Sequence, residues 1–103
     1  MPECPVSTIG GVKVADVGWY SDQRYQEVKG QLAFEIAPEI CIEILSPSNS
    51  DAEMKSKRQL YFDAGAEEVW ICDLDGQLSF FVDESEESDG SNICPEFPRL
   101  LAD

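Results

Sequence analysis

Residues 39–45, EICIEIL, decide the fold. Apolar side chains occupy both faces of a period-two pattern, and Glu43 is the exception inside it. A strand that is apolar on both faces is a central strand covered on both sides. Ser46-Pro47-Ser48 ends it. Beyond that stop, Ser50 and Glu53 form an S-x-x-E capping box, and Asp51 suits the positive end of a helix dipole. The pattern predicts a helix over 51–64, ended by Gly65 as a natural C′ residue. EEVWICD, residues 67–73, reads as another strand, and DLDG turns the chain into QLSFFVD, residues 77–83, as an antiparallel hairpin.

On the other side, VKVADVGWY, residues 12–20, is rich in β-branched and aromatic types and reads as a strand. Residues 21–37 are polar and mixed, which predicts a loop with a turn around Gly30. The expected architecture is α+β, a mixed sheet of about four strands with one principal helix packed on it. One domain fills residues 1–103, with its core in 12–82, an acidic loop in 83–91 and a proline-broken docking tail in 92–103.

Composition narrows the function. A chain of 103 residues has room for one domain and one core. No apolar run reaches the roughly 18–20 residues of a membrane span. MPECPVSTIGG has neither the basic flank nor the apolar stretch of a signal peptide, so a soluble, cytoplasmic protein is expected. Cys4, Cys41, Cys72 and Cys94 lie far apart with no CxxC pair, against a zinc site and in favour of reduced thiols. Cys41 and Cys72 are expected as small buried hydrophobes. With no histidine in the chain, Ser-His and Cys-His catalysis is excluded.

The net charge is −14, from 21 acidic and 7 basic residues, and argues against a polyanion partner. Asp83, Glu84, Glu86, Glu87 and Asp89 cluster in DESEESD as a solvated loop, but setting them aside still leaves −9.

Three charges stand where charge is expensive. Glu43 has only Ile40, Cys41, Ile42, Ile44 and Leu45 around it, and an isolated buried carboxylate costs several kcal/mol or neutralises itself. The plain alternatives are a glutamate at the strand end reaching water, or one that meets a single lysine in a structural pair. Lys57 falls in the middle of a helical arc of roughly 120° that holds Met54, Leu60, Tyr61 and Ala64, while Lys55 and Arg58 project away from it. A lysine there needs a partner, and Glu43 on the preceding strand is the nearest; the alternative is a lysine snorkelling past Met54. Asp16 interrupts V-K-V-A-D-V, with Lys13 on the opposite face; alone it reads equally as an edge-strand or turn residue. Together, two carboxylates on adjacent strands and one lysine can hold a hard divalent cation and steady an attacking water. The lysine would stabilise charge developing on a phosphate.

VKVADVGW, then APEICIEILSPSNSDAEMKSKRQLYFDAGAEEVWICDLDG, then SNICPEFP resemble the Uma-type restriction endonuclease family of the PD-(D/E)XK nuclease superfamily. The likeness covers roughly residues 12–82 and recurs near 91–98. It implies a restriction-endonuclease-like core sheet flanked by helices, and Mg2+- or Mn2+-dependent hydrolysis of DNA phosphodiester bonds. Asp16 would be the aspartate of the PD element and Glu43 the glutamate of E-x-L-S. Both would be metal ligands, joined by the backbone carbonyl of Ile44. The superfamily's usual lysine position is Leu45 here, and the resemblance moves the lysine to Lys57 on the following helix. Tyr61 and Ser46 are implied as supporting residues.

The chain departs from the family pattern at Ala15, which replaces the proline of PD, and in the short stretch before Asp16. That stretch implies a short form lacking most of the N-terminal part. Exposed strand edges then make a homodimer, or a partner chain completing the fold, the expected assembly. Two readings compete with the nuclease: a catalytically inactive or partner-completed interaction protein, and an acidic DNA mimic. A mimic needs acids on one exposed face and has no use for Glu43 inside a strand or Lys57 inside a core stripe.

Overall fold

The computed structural model describes residues 1–83 and 86–101. Among them are six strands: β1 (Pro2–Thr8), β2 (Gly11–Trp19), β3 (Ile40–Ile44), β4 (Glu68–Cys72), β5 (Leu78–Phe81) and β6 (Glu87–Ser88). Two helices, α1 (Asp22–Val28) and α2 (Asp51–Asp63), complete an α+β fold. The strands form a single mixed sheet in chain order. Only β3 and β4 run parallel, because α2 carries the chain back across the sheet between them. Every other neighbouring pair is antiparallel.

The expected strands at 12–20, 39–45, 67–73 and 77–83 and the helix at 51–64 correspond to β2, β3, β4, β5 and α2. Six strands rather than about four, and two helices rather than one, are the corrections. Residues 2–8 pair with β2 through a hairpin closed at Thr8 and Gly11. Pro2 and Pro5 are tolerated there because β1 is an edge strand and needs ladder bonds on one side only. The outer edge of β1 is not left bare: Phe34 bridges to Val6, with Ser7 N–H to Phe34 O and Phe34 N–H to Pro5 O both 2.9 Å. The 21–37 segment is no plain loop, since Ser21 caps α1 by accepting the Arg24 N–H at 3.2 Å. In the acidic segment Glu87 and Ser88 pair with β5, whereas Glu84 and Ser85 lie outside the described residues.

α2 starts as its sequence predicts, Ser50 accepting the Glu53 N–H at 3.1 Å. The reciprocal half of the box is different: the Glu53 carboxylate takes the Asn49 side-chain amide at 2.9 Å instead. Gly65 ends the helix at φ +107, a conformation that disfavours any side chain. The β4–β5 turn is built on Asp73, whose Oδ1 accepts the N–H groups of Asp75 and Gln77, each at 2.9 Å.

The sheet buries both faces. On one, Cys4, Val6, Cys41 and Val69 pack with Tyr61 of α2 and with Phe34. On the other, Ile40, Trp70, Leu78 and Phe80 are covered by Ile93 of the tail, with Phe97 against the Trp70 ring at 4.7 Å. Each such apolar side chain contributes about 1.5–3 kcal/mol by leaving water. The tail is anchored by Glu68, which is 2% exposed. It accepts from Trp70 Nε1 (2.8 Å), Ser91 Oγ (2.7 Å), Asn92 N (2.9 Å) and Ile93 N (2.9 Å). Among the described residues no helix is long and apolar enough to cross a membrane.

Candidate active site

β2 and β3 pair from Trp19↔Ile40 to Val17↔Ile42. One further step of that register would set Asp16 opposite Glu43, but the ladder ends there and the side chains take over. Asp16 Oδ2 accepts the Ile44 backbone N–H at 2.7 Å. A carboxylate thus closes the gap where the strands part, and its position is fixed by main chain rather than by a flexible side chain.

Glu43 is the buried member of the site, 4% exposed. Its Oε1 accepts from the Tyr61 hydroxyl at 2.6 Å and lies 2.9 Å from Lys57 Nζ. Lys57 and Tyr61 stand one turn apart on α2, so both reach the same oxygen. Lys57 also donates to Val14 O at 3.2 Å, tying α2 to β2. Burial pushes the Glu43 carboxyl above its ordinary value against the hydrogen bonds from Tyr61 and Lys57 and against the lysine charge; the negative charge of Asp16 adds to the rise. Burial and then Glu43 push the Tyr61 hydroxyl far up, so it remains a donor.

The structure therefore brings Asp16, Glu43, Ile44, Lys57 and Tyr61 together. Ser46 is not brought in. Its N–H and hydroxyl turn to Asn49 Oδ1 at 2.9 and 3.1 Å, and it shapes the turn before α2. Arg58, expected to project away, stacks over the Phe81 ring at 3.9 Å on the other flank of the helix. The carbonyl of Val14 carries no sequence signal, since every residue has one. Tyr61 did carry one: a tyrosine in a buried stripe needs a partner for its hydroxyl.

The donor set suits a hard cation. Oδ1 of Asp16 and Oε2 of Glu43 take no hydrogen bond or ion pair among the described residues, while the partner oxygens are anchored. No group of three or more His, Cys, Asp or Glu among the described residues is disposed to hold a metal. One or two carboxylates are nonetheless the usual share of protein ligands for magnesium, which keeps water or phosphate in its other positions.

The chain is similar to a solved structure described as "a putative nuclease belonging to DUF820" from Anabaena variabilis ATCC 29413, at 20% identity and a TM-score of 0.70. The match covers 85% of this chain and 51% of that one, so the chain spans about half the length of that structure, with which it shares the fold. No curated protein matches. Residues 2–97 match the family model described as "Uma2: Putative restriction endonuclease". The chain belongs to the Uma2 family.

Proposed function

We propose that the protein is a metal-dependent endonuclease that hydrolyses DNA phosphodiester bonds. The observation that carries this reading is the shared Glu43 Oε1, held at 2.6 Å by Tyr61 and at 2.9 Å by Lys57, with Asp16 beside it. Asp16 and Glu43, with the carbonyl of Ile44, would hold Mg2+ or Mn2+. Bound there, such an ion polarises a phosphoryl oxygen and makes water more acidic. Lys57 has three N–H donors, of which Glu43 and Val14 take two. The third is available to a phosphate oxygen, where its charge offsets the charge that builds as water oxygen bonds to phosphorus and one P–O ester bond breaks. Tyr61 holds the Glu43 carboxylate in place and takes no part in the chemistry. The four free thiols fit a reducing compartment, in keeping with a cytoplasmic enzyme.

A second reading has one observation in its favour. Among the described residues no group of three or more acidic side chains converges on the site, which fits an interaction protein, or a site whose remaining ligands come from a partner chain or a second copy. Calorimetric titration of Mg2+ and Mn2+ into the parent and Glu43→Gln decides between them. Saturable binding lost in the variant, with metal-dependent cleavage of DNA by the parent, is the expected result. A folded parent that binds neither ion sinks the nuclease reading for this chain alone.

A further inference from the structure

The geometry points to a phosphate-binding subsite in the groove between β2 and α2, lined by Lys13, Glu53, Ser56, Lys57 and Leu60, for a substrate phosphate next to the reacting one. The groove has a volume of about 370 Å³. It adjoins the candidate active site through Lys57, whose ammonium reaches Glu43. Two of the chain's 7 basic residues meet there, on a protein carrying 21 acids. Lys13 is half-buried and forms no ion pair among the described residues; Lys29, Lys55 and Arg99, which also form none there, are exposed. Lys13 and Lys57 line the same groove, so an anion placed there meets two ammonium groups. The one acid of the groove, Glu53, is drawn toward the start of α2 by Asn49 at 2.9 Å. Ser56 adds an exposed hydroxyl.

This inference rests on the endonuclease reading, and its test separates the two. Binding of a fluorescently labelled DNA duplex is followed by anisotropy across a salt series, with Ca2+ replacing Mg2+ to prevent turnover. Lys13→Gln should weaken binding severalfold and flatten the slope of log affinity against log salt by about 1. Lys13→Arg should keep the slope, and Lys29→Gln, which removes the same charge from the far end of α1, should change neither quantity. A parent that binds DNA while Lys13→Gln matches the parent or Lys29→Gln overturns the subsite and leaves the nuclease reading standing. A parent that binds no DNA at low salt overturns both.

Discussion

Asp16 accepts the backbone N–H of Ile44 at 2.7 Å, at the step where the β2–β3 ladder has already ended. The contact joins fold and site: the group that closes the fraying strands also sets one carboxylate beside another. Asp16→Asn keeps an oxygen to accept the Ile44 N–H but loses the negative charge. It should melt like the parent and bind Mg2+ at least tenfold more weakly. Asp16→Ala should in addition lose about 1 kcal/mol, since the bond to an ionised acceptor is partly exposed. Urea unfolding and calorimetry on the two variants check this, and equal metal binding by all three proteins would remove Asp16 from the site.

Lys57→Ala separates binding from chemistry. It leaves Glu43 buried with Tyr61 as its remaining partner. The cost should be roughly 1–2 kcal/mol, below that of breaking a fully buried pair, because the lysine side chain is 26% exposed. Metal binding should survive, since no ligand oxygen is removed, while DNA cleavage falls by two or more orders of magnitude. Full cleavage by this variant would make the lysine a structural strut.

The raised pKa of Glu43 sets a pH dependence with a definite sign. The unfolded chain ionises this carboxyl at its ordinary value and the folded chain does so only at higher pH. Between the two, the folded state binds more protons, so this group's contribution to stability is greatest below the ordinary carboxylate range and is lost as pH rises through the raised value. Unfolding free energy of the parent relative to Glu43→Gln should therefore decline across that window. A difference that stays flat with pH would show that the carboxyl is not raised. Protons should also displace Mg2+ at a higher pH than an ordinary carboxylate would require. Tyr61→Phe, which removes the 2.6 Å donor, should move that displacement higher still and cost about 1–2 kcal/mol.

The sequence made β3, α2 and the Glu43–Lys57 pair legible for one reason. Each is a violation or a signature inside a regular pattern: a carboxylate in an apolar strand, a lysine in an apolar helical stripe, a cap ahead of a periodic run. β1 and α1 lack such patterns. β1 is half-paired and carries two prolines, so its composition resembles a coil even though its register with β2 is unbroken from Cys4 to Thr8. α1 has seven residues and buries only Val28, too short for a 3.6-residue period to declare itself, although Ser21 was a visible cap. Glu68 was illegible because its acceptors' partners include residues 23–25 positions later, in a segment with no periodicity.

That last cluster makes its own prediction. The Glu68 carboxylate offers two oxygens to four donors, and the bonds from Trp70 and Ser91 are buried. Glu68→Gln replaces one acceptor oxygen with an NH2 group, and so sets donor against donor at either the Trp70 N–H and Ser91 O–H pair or the Asn92 and Ile93 N–H pair. Losing two hydrogen bonds to an ionised acceptor should cost roughly 2–4 kcal/mol. The loss should fall first on the tail, because β4 keeps its ladders to β3 and β5 whatever residue 68 is. Limited proteolysis should then cut near Cys94–Arg99 under conditions where the parent resists, and Trp70 fluorescence should shift red as Phe97 and Ile93 lift from its ring. Metal binding should persist, since Glu43 faces Tyr61 and Lys57 of α2, whereas Glu68 faces the tail. Unchanged proteolysis would mean that apolar packing on Trp70, rather than Glu68, holds the tail.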